Sequence, residues 1–283
     1  MFWTSAHSSA FCLTRGCSEK TQDCVYDTHG CLQTGPLLHW ASGCVSFDVQ
    51  RAGSALRGIS YDEAYAAVVA GFSQWLNAEC GGGAGPRLTI SDYGPVDCRQ
   101  AEYNQDSPNA NIIMFRDEDW PYENAIDTLA LTTLIFNADT GEIYDADVEV
   151  NSVQSPMSIG DIGPNDIDFS SVITHEIGHF LGLSHSDAPG STMRPSYAPG
   201  QTAMSSIELD DVQAVCEALP PNRKTTSESC DPRHGFSTEC ALPENDCALT
   251  PGSPGALASA LFALFGLSST LLRRKFRPSS RRP

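Results

Sequence analysis

The clearest helical period in the chain begins at Ser60. There Ser60-Tyr-Asp-Glu63 places a hydroxyl and a carboxylate three residues apart as a capping box, and Val68, Val69, Phe72, Trp75 and Leu76 then fall on one face. A helix is predicted from residue 60 to somewhere between Cys80 and Gly83. Three short apolar runs follow, at 87–90, 111–115 and 129–136, and read as strands. A fourth, 142–151, alternates polar and apolar residues from Ala146 onward, as a half-buried strand would, and the turn signal Asp139-Thr-Gly141 joins the last two into a hairpin. The acidic segment 165–168 supplies caps for a helix over 169–181, and a shorter helix over 206–219 stops before Pro220-Pro221. These elements form one α+β domain, residues 45–220, with no internal repeat.

The flanks differ in composition. Residues 1–44 hold five cysteines in a Thr/Ser/Gly-rich stretch without periodicity, read as a disulfide-stapled N-terminal segment. Residues 221–254 are rich in Ser, Thr, Pro and Gly, carry Cys230, Cys240 and Cys247, and read as a linker or stalk. Residues 255–272 are uncharged and are followed at once by Arg273, Arg274 and Lys275 in a basic tail, 273–283. As a helix rising about 1.5 Å per residue the uncharged run would span roughly 27 Å, enough for a bilayer core. This predicts a transmembrane or sorting helix, a cytoplasmic C-terminus and a domain on the outside.

Charge and cysteines narrow the setting. Up to Leu272 the chain has 35 acidic against 11 basic residues, which disfavours nucleic acid and anionic lipid as partners. Eleven cysteines with no Cys-x-x-Cys pair argue for disulfides in an oxidising compartment, and the odd count leaves one unpaired within the chain. An exported protein is expected, held at the cell surface or membrane by its tail or released after processing, although residues 1–11 show neither a basic start nor an apolar stretch of signal-peptide type.

Candidate chemistry lies in His175-Glu-Ile-Gly-His179-Phe-Leu-Gly182-Leu-Ser-His185. Two imidazoles at i and i+4 share a helical face and can hold one Zn²⁺, Glu176 sits beside the first, and Gly182 lets the chain leave the helix so that His185 turns back as third ligand. Three neutral imidazoles leave a fourth tetrahedral position for water, the mark of a catalytic site. Chance histidines on a helix surface would not explain the spacing.

This motif resembles the signature of the metzincin zinc endopeptidases. Downstream, Ser186 follows the third histidine, and Met193-Arg-Pro195-Ser-Tyr197 resembles the Met-turn of the matrixin branch. The resemblance covers about residues 58–219, its specific motifs only 175–197. It implies a zincin-like metzincin fold: a twisted mixed sheet of four to five strands with an active-site helix and two further helices. It also implies Met193 as an apolar floor beneath the metal, and Pro195 to Tyr197 as a pocket wall. Glu176 would take a proton from zinc-bound water and pass it to the leaving amine of a protein or peptide substrate, itself laid along an edge strand in the 129–136 or 142–151 region.

Departures from the family pattern matter as well. No histidine lies between His39 and His175, so the structural zinc of animal matrixins is not expected. The Pro-Arg-Cys-Gly context of an inhibitory propeptide is absent, which disfavours a thiolate from residues 1–44 on the zinc. Asp139, Asp145 and Asp147 offer carboxylates for Ca²⁺, against the plainer reading of a solvated strand edge. Finally, Cys247, a Pro/Gly spacer, the apolar run and the Arg cluster resemble in layout the C-terminal sorting tails of myxobacterial surface proteins, with Asp246 where those tails carry Gly. In that comparison Cys247 is the odd cysteine.

Overall fold

The structure, a computed structural model, describes residues 10–18, 23–239 and, as backbone, 257–266. Its centre is a mixed sheet of β1 (Cys44–Val49), β2 (Thr89–Asp92), β3 (Ile112–Phe115), β4 (Thr128–Asn137) and β5 (Ile143–Val150), in the order β2-β1-β3-β5-β4. All neighbours are parallel except β4, which runs antiparallel to β5 through the hairpin expected at Asp139 to Gly141. A pair of two-residue strands, β6 (Met157–Ser158) and β7 (Ile167–Asp168), leads into the second helix. Beyond β4 the sheet continues through β9 (Leu257–Gly266) to the short β8 (Ser196–Tyr197).

Helix α1 (Tyr61–Leu76) starts at the capping box read from the sequence: Ser60 accepts from the Glu63 N–H, and Glu63 accepts from the Ser60 N–H. It ends at Leu76, short of the expected Cys80, with Asn77 as its C-cap; Gly81 to Gly83 further on all adopt positive φ. Its buried stripe, Ala64, Ala67, Val68, Gly71, Phe72 and Trp75, packs on α2 (Phe169–Phe180), eleven of whose twelve residues are buried. The approach is close enough that a methyl group on Gly71 would lie 2.7 Å from Ile177 Cδ1. Helix α3 (Leu209–Ala218), preceded by a 3-10 turn at Ala203–Ser205, begins three residues later than expected and is tied to the segment after α1 by Cys80–Cys216.

Several expectations are corrected. Strand β1, wholly buried, was not foreseen, although Val45, Phe47 and Val49 alternate with Ser46 and Asp48; its place between two parallel neighbours buries both faces, the polar one included. Strand β5 is interior, so it is neither a solvated edge nor the sheet's free edge, and Asp145 and Asp147 are each 1% exposed. The described part of the predicted stalk packs back against β1 through Gly43 N–H to Ser227 O, Ser46 N–H to Cys230 O and the Cys44–Cys230 disulfide.

Within the predicted membrane helix, residues 257–266 form a strand instead. The row of N–H and C=O groups on the outer side of β4 gives an uncharged, proline-free segment a ladder to complete, as efficiently as a helix would. Among the described residues no helix is long and apolar enough to cross a membrane. The rest of that span, the Arg cluster and Cys247 lie outside the described residues.

Disulfides are as expected in kind. Cys12–Cys31, Cys17–Cys24, Cys44–Cys230 and Cys80–Cys216 are formed, and Cys98 is also disulfide-bonded. All four N-terminal cysteines up to Cys31 are thereby engaged with each other, so none offers a thiolate to a metal.

Candidate metal centre

Helix α2 is launched by Asp168, whose carboxylate accepts from the Ser170 and Ser171 N–H groups, the cap read from the sequence. Tryptophans on either side fix the helix in the core: Trp75 Nε1–H donates to Thr174 O and Trp40 Nε1–H to Phe180 O, each at 2.8 Å. The helix ends at Phe180, and Gly182 at φ +95° turns the chain; a Cβ there would also stand 3.0 Å from Leu38 O. That turn brings His185 back over the helix. The ring centroids of His175, His179 and His185 are 4.7, 5.3 and 4.9 Å apart, and one nitrogen from each falls within 4.8 Å of the others. Among the described residues this is the one group of three or more His, Cys, Asp or Glu side chains so arranged.

Hydrogen bonding orients the rings. His175 Nδ1–H donates to Thr192 O at 2.6 Å and His179 Nδ1–H to Leu183 O at 2.9 Å, which leaves each Nε2 as the lone-pair nitrogen. The Nε2 atoms of His175 and His185 are buried with no hydrogen-bond partner among the described residues, an arrangement a protein rarely tolerates unless another group completes it. Burial pushes the imidazolium forms out of reach: His175 falls to about 3, helped by the nearby His185, His185 to about 4, and His179 well below its usual value. Three neutral imidazoles converging on one point are the donor set of Zn²⁺ with an open position, so the residues present fit that ion.

Glu176 lies on the same helix and is fully buried; desolvation lifts its carboxyl to about 8, opposed by a 2.5 Å hydrogen bond donated by Thr132 Oγ1. Its second oxygen, Oε1, has no partner among the described residues. Thr132 stands on β4 and went unnoticed in the sequence, where a threonine inside an apolar run carries no signal of its own.

Met193 is 1% exposed and sits under the helix: a methyl group on Gly178 would meet its sulfur at 2.2 Å. The turn around it is bound to both ends of the triad, since Thr192 O receives the His175 proton and Met193 O accepts from Ser186 N–H, next to His185. Asp211 holds that turn, accepting from Ser191 Oγ–H at 2.6 Å and from the Thr192 N–H at 2.9 Å. Its neighbour Asp210 accepts from Ser186 Oγ–H at 2.7 Å. Both acids lie in the first turn of α3, and their reach to the turn around Met193 is a tertiary fact. Tyr197 is buried, with its hydroxyl accepting from Asp168 N–H at 3.3 Å, and Pro195 directly precedes β8. Among the described residues the carboxylates considered for calcium join no further cluster of three or more such side chains: Asp147 receives N–H bonds from Ile112 and Glu102, while Asp139 stands at the exposed hairpin turn.

A mixed sheet backed by three helices, with converging imidazoles beside a buried carboxyl, defines a metallopeptidase-like site on a metzincin-type fold. Residues 97–218 match the family model described as Matrixin. Similar proteins include Metalloendoproteinase 1-MMP of Arabidopsis thaliana, 43% identical over 63 residues (22% of this chain, 17% of that protein), and the neutrophil collagenase of Homo sapiens, 37% identical over 78 residues (25% and 17%). Metalloendoproteinase 2-MMP of Arabidopsis thaliana is 30% identical over 124 residues, 42% of this chain and 31% of that protein. The matched stretches thus cover less than a third of the length of each of these relatives, and together they support a matrixin-like domain.

Proposed function

We propose that the chain is a zinc-dependent endopeptidase that hydrolyses protein or peptide substrates outside the cytosol. The observation that carries this reading is the convergence of three neutral imidazoles on one point beside a fully buried carboxyl. In this reading His175, His179 and His185 hold the zinc, which when bound acidifies its water and polarises the scissile carbonyl. Glu176 accepts the water's proton on a carboxyl oriented by Thr132 and returns it to the departing amine. Met193 supplies the packed floor that keeps the ligand helix and the returning loop in register, and Pro195 to Tyr197 wall the pocket. The disulfides support an exported setting.

The direct test is metal analysis joined to turnover. The purified chain is expected to hold one zinc, to cleave an unstructured polypeptide at internal bonds, to stop on chelation and to resume when zinc is restored. Cleavage that persists after the zinc has been stripped would refute the reading.

A further inference from the structure

Strand β9 lies where an extended substrate would have to lie. It runs antiparallel to β4 through nine residue pairs, from Asn137↔Leu257 to Thr128↔Phe265, and its last residues run parallel to β8, with Ser196↔Phe265 and Tyr197↔Gly266. It therefore fills the slot between the sheet's outer strand and the segment that follows the Met-turn. It also touches α2. Phe262 pairs with Thr132, the residue whose hydroxyl binds Glu176, so the strand passes directly alongside the proposed base. We propose that residues 257–266 are a built-in occupant of the substrate cleft, which keeps the site closed to other polypeptides until the strand is displaced. The proposal rests on the peptidase reading for what is being closed, but not for the strand's position.

Three physical points favour this occupant. First, without β9 the outer side of β4 would be an open edge over most of its ten residues, a template for any extended chain. Second, residues 257–266 contain no charge and no proline, so nothing in them resists main-chain pairing. Third, the 17 residues between Glu239 and Leu257 can reach on the order of 60 Å when extended, so the segment is supplied from the same chain. Tethering raises its effective concentration to about the millimolar range, enough to compete with a dilute substrate that makes the same ladder.

The test uses the full zinc-loaded chain and a variant carrying both Ala260→Pro and Ala263→Pro. The two sites have opposite parity along the strand, so at least one N–H that bonds across to β4 is lost. Hydrogen exchange at the β4 amides not bonded to β5 is expected to rise in the variant. Hydrolysis of a quenched extended peptide is expected to rise about tenfold in kcat/KM, chiefly through KM, the factor for a cleft open in about one chain in ten. A lysine-flanked peptide of residues 257–266, added to the variant, is expected to inhibit competitively. A second chain, with a specific protease site inserted after Gly252, is folded intact and then cut, so that the same rise can be read even if the proline chain fails to fold.

Unchanged exchange in β4 overturns the proposal, as does increased exchange in β4 with unchanged kcat/KM in an active enzyme. A new N-terminus within 257–266 on incubating the full chain also overturns it, by making the strand a substrate. Increased exchange with neither chain hydrolysing peptide supports the strand's seat and strikes down the peptidase reading instead.

Discussion

Helix α2 and strand β5 both carry polar side chains into regions from which water is excluded, yet they do so to different ends. On α2, His175, Glu176 and His179 are wholly buried; on β5, Asp145, Asp147 and Glu149 are buried to within 1%. The acids of β5 are answered largely by neighbours. Asp147 receives two backbone N–H groups, and Glu149 is bound by Arg116 at 2.6 Å and by the Tyr122 hydroxyl. On α2 the described residues complete only one side of His175 and of Glu176. The Nδ1 atoms of His175 and His179 and one oxygen of Glu176 have partners, while His175 Nε2 and Glu176 Oε1 have none among the described residues. A buried polar group with its partners beside it specifies the fold; buried groups whose unused valences converge on one point form a site.

The comparison can be broken or sharpened by substitution. The largest effect is expected from Glu176→Gln. It keeps shape and the Thr132 contact but removes the proton acceptor, so turnover should fall about 10²–10⁴-fold while zinc content stays at wild-type level. Peptide kinetics and elemental analysis on the same sample check it, and near-normal cleavage would break the assignment.

Next comes Glu149→Gln on β5, which leaves the Arg116 guanidinium without its counter-charge. Stability should drop by about 3 kcal/mol in denaturant titration, with zinc affinity unchanged at temperatures where the variant is folded. A selective loss of zinc would show that the two regions are not separate.

Thr132→Val removes one hydrogen bond to Glu176 at nearly constant volume. The loss of about 1 kcal/mol of orientation should lower kcat roughly fivefold with little change in folding. If melting temperature falls and kcat does not, Thr132 serves the fold alone.

The smallest effect is expected at Asp145, whose carboxyl is raised well above its ordinary 3.8 by burial first and then by the charges of Asp147 and Glu102. A folded-state value above the unfolded one means that the folded chain holds this proton more tightly. Its contribution to stability is therefore full below about pH 3.8 and is lost as pH rises from there toward the folded-state value. Asp145→Asn, which cannot ionise, should match wild type in acid and flatten the decline above it, read as unfolding midpoints across pH. An unchanged pH profile would mean that the carboxyl is charged and stabilised by groups not accounted for.

How much of this was legible beforehand depends on whether a feature is local. The cap at Ser60, the cap at Asp168, the hairpin turn and the histidine spacing depend on residues three to ten apart along the chain, and each was found where the sequence placed it. The alternation of Val45, Phe47 and Val49 with Ser46 and Asp48 was a local signal for β1 that went unread; that its polar face is buried as well was not legible, because it depends on β2 and β3, which come to it from 40 to 70 residues downstream. Residues 257–266 were read as helical from composition alone. An uncharged Ala/Leu/Phe run satisfies its own backbone in a helix and a neighbour's in a sheet, and only the open side of β4 distinguishes the two.

The sequence by itself thus determined the groups of the candidate site: the identity of three imidazoles and of one carboxyl beside them, and a helix followed by a glycine turn that brings them together. Their orientation was decided only by the tertiary structure. It took Thr192 and Leu183 carbonyls to choose the imidazole tautomers, Thr132 from β4 to hold Glu176, and Asp211 from α3 to hold the turn carrying Met193. The reason is that a ligand's identity is a property of one residue. Its protonation, tautomer and aim are set by groups that burial brings within about 3 Å, and those groups come from elements as much as 44 residues away in the chain.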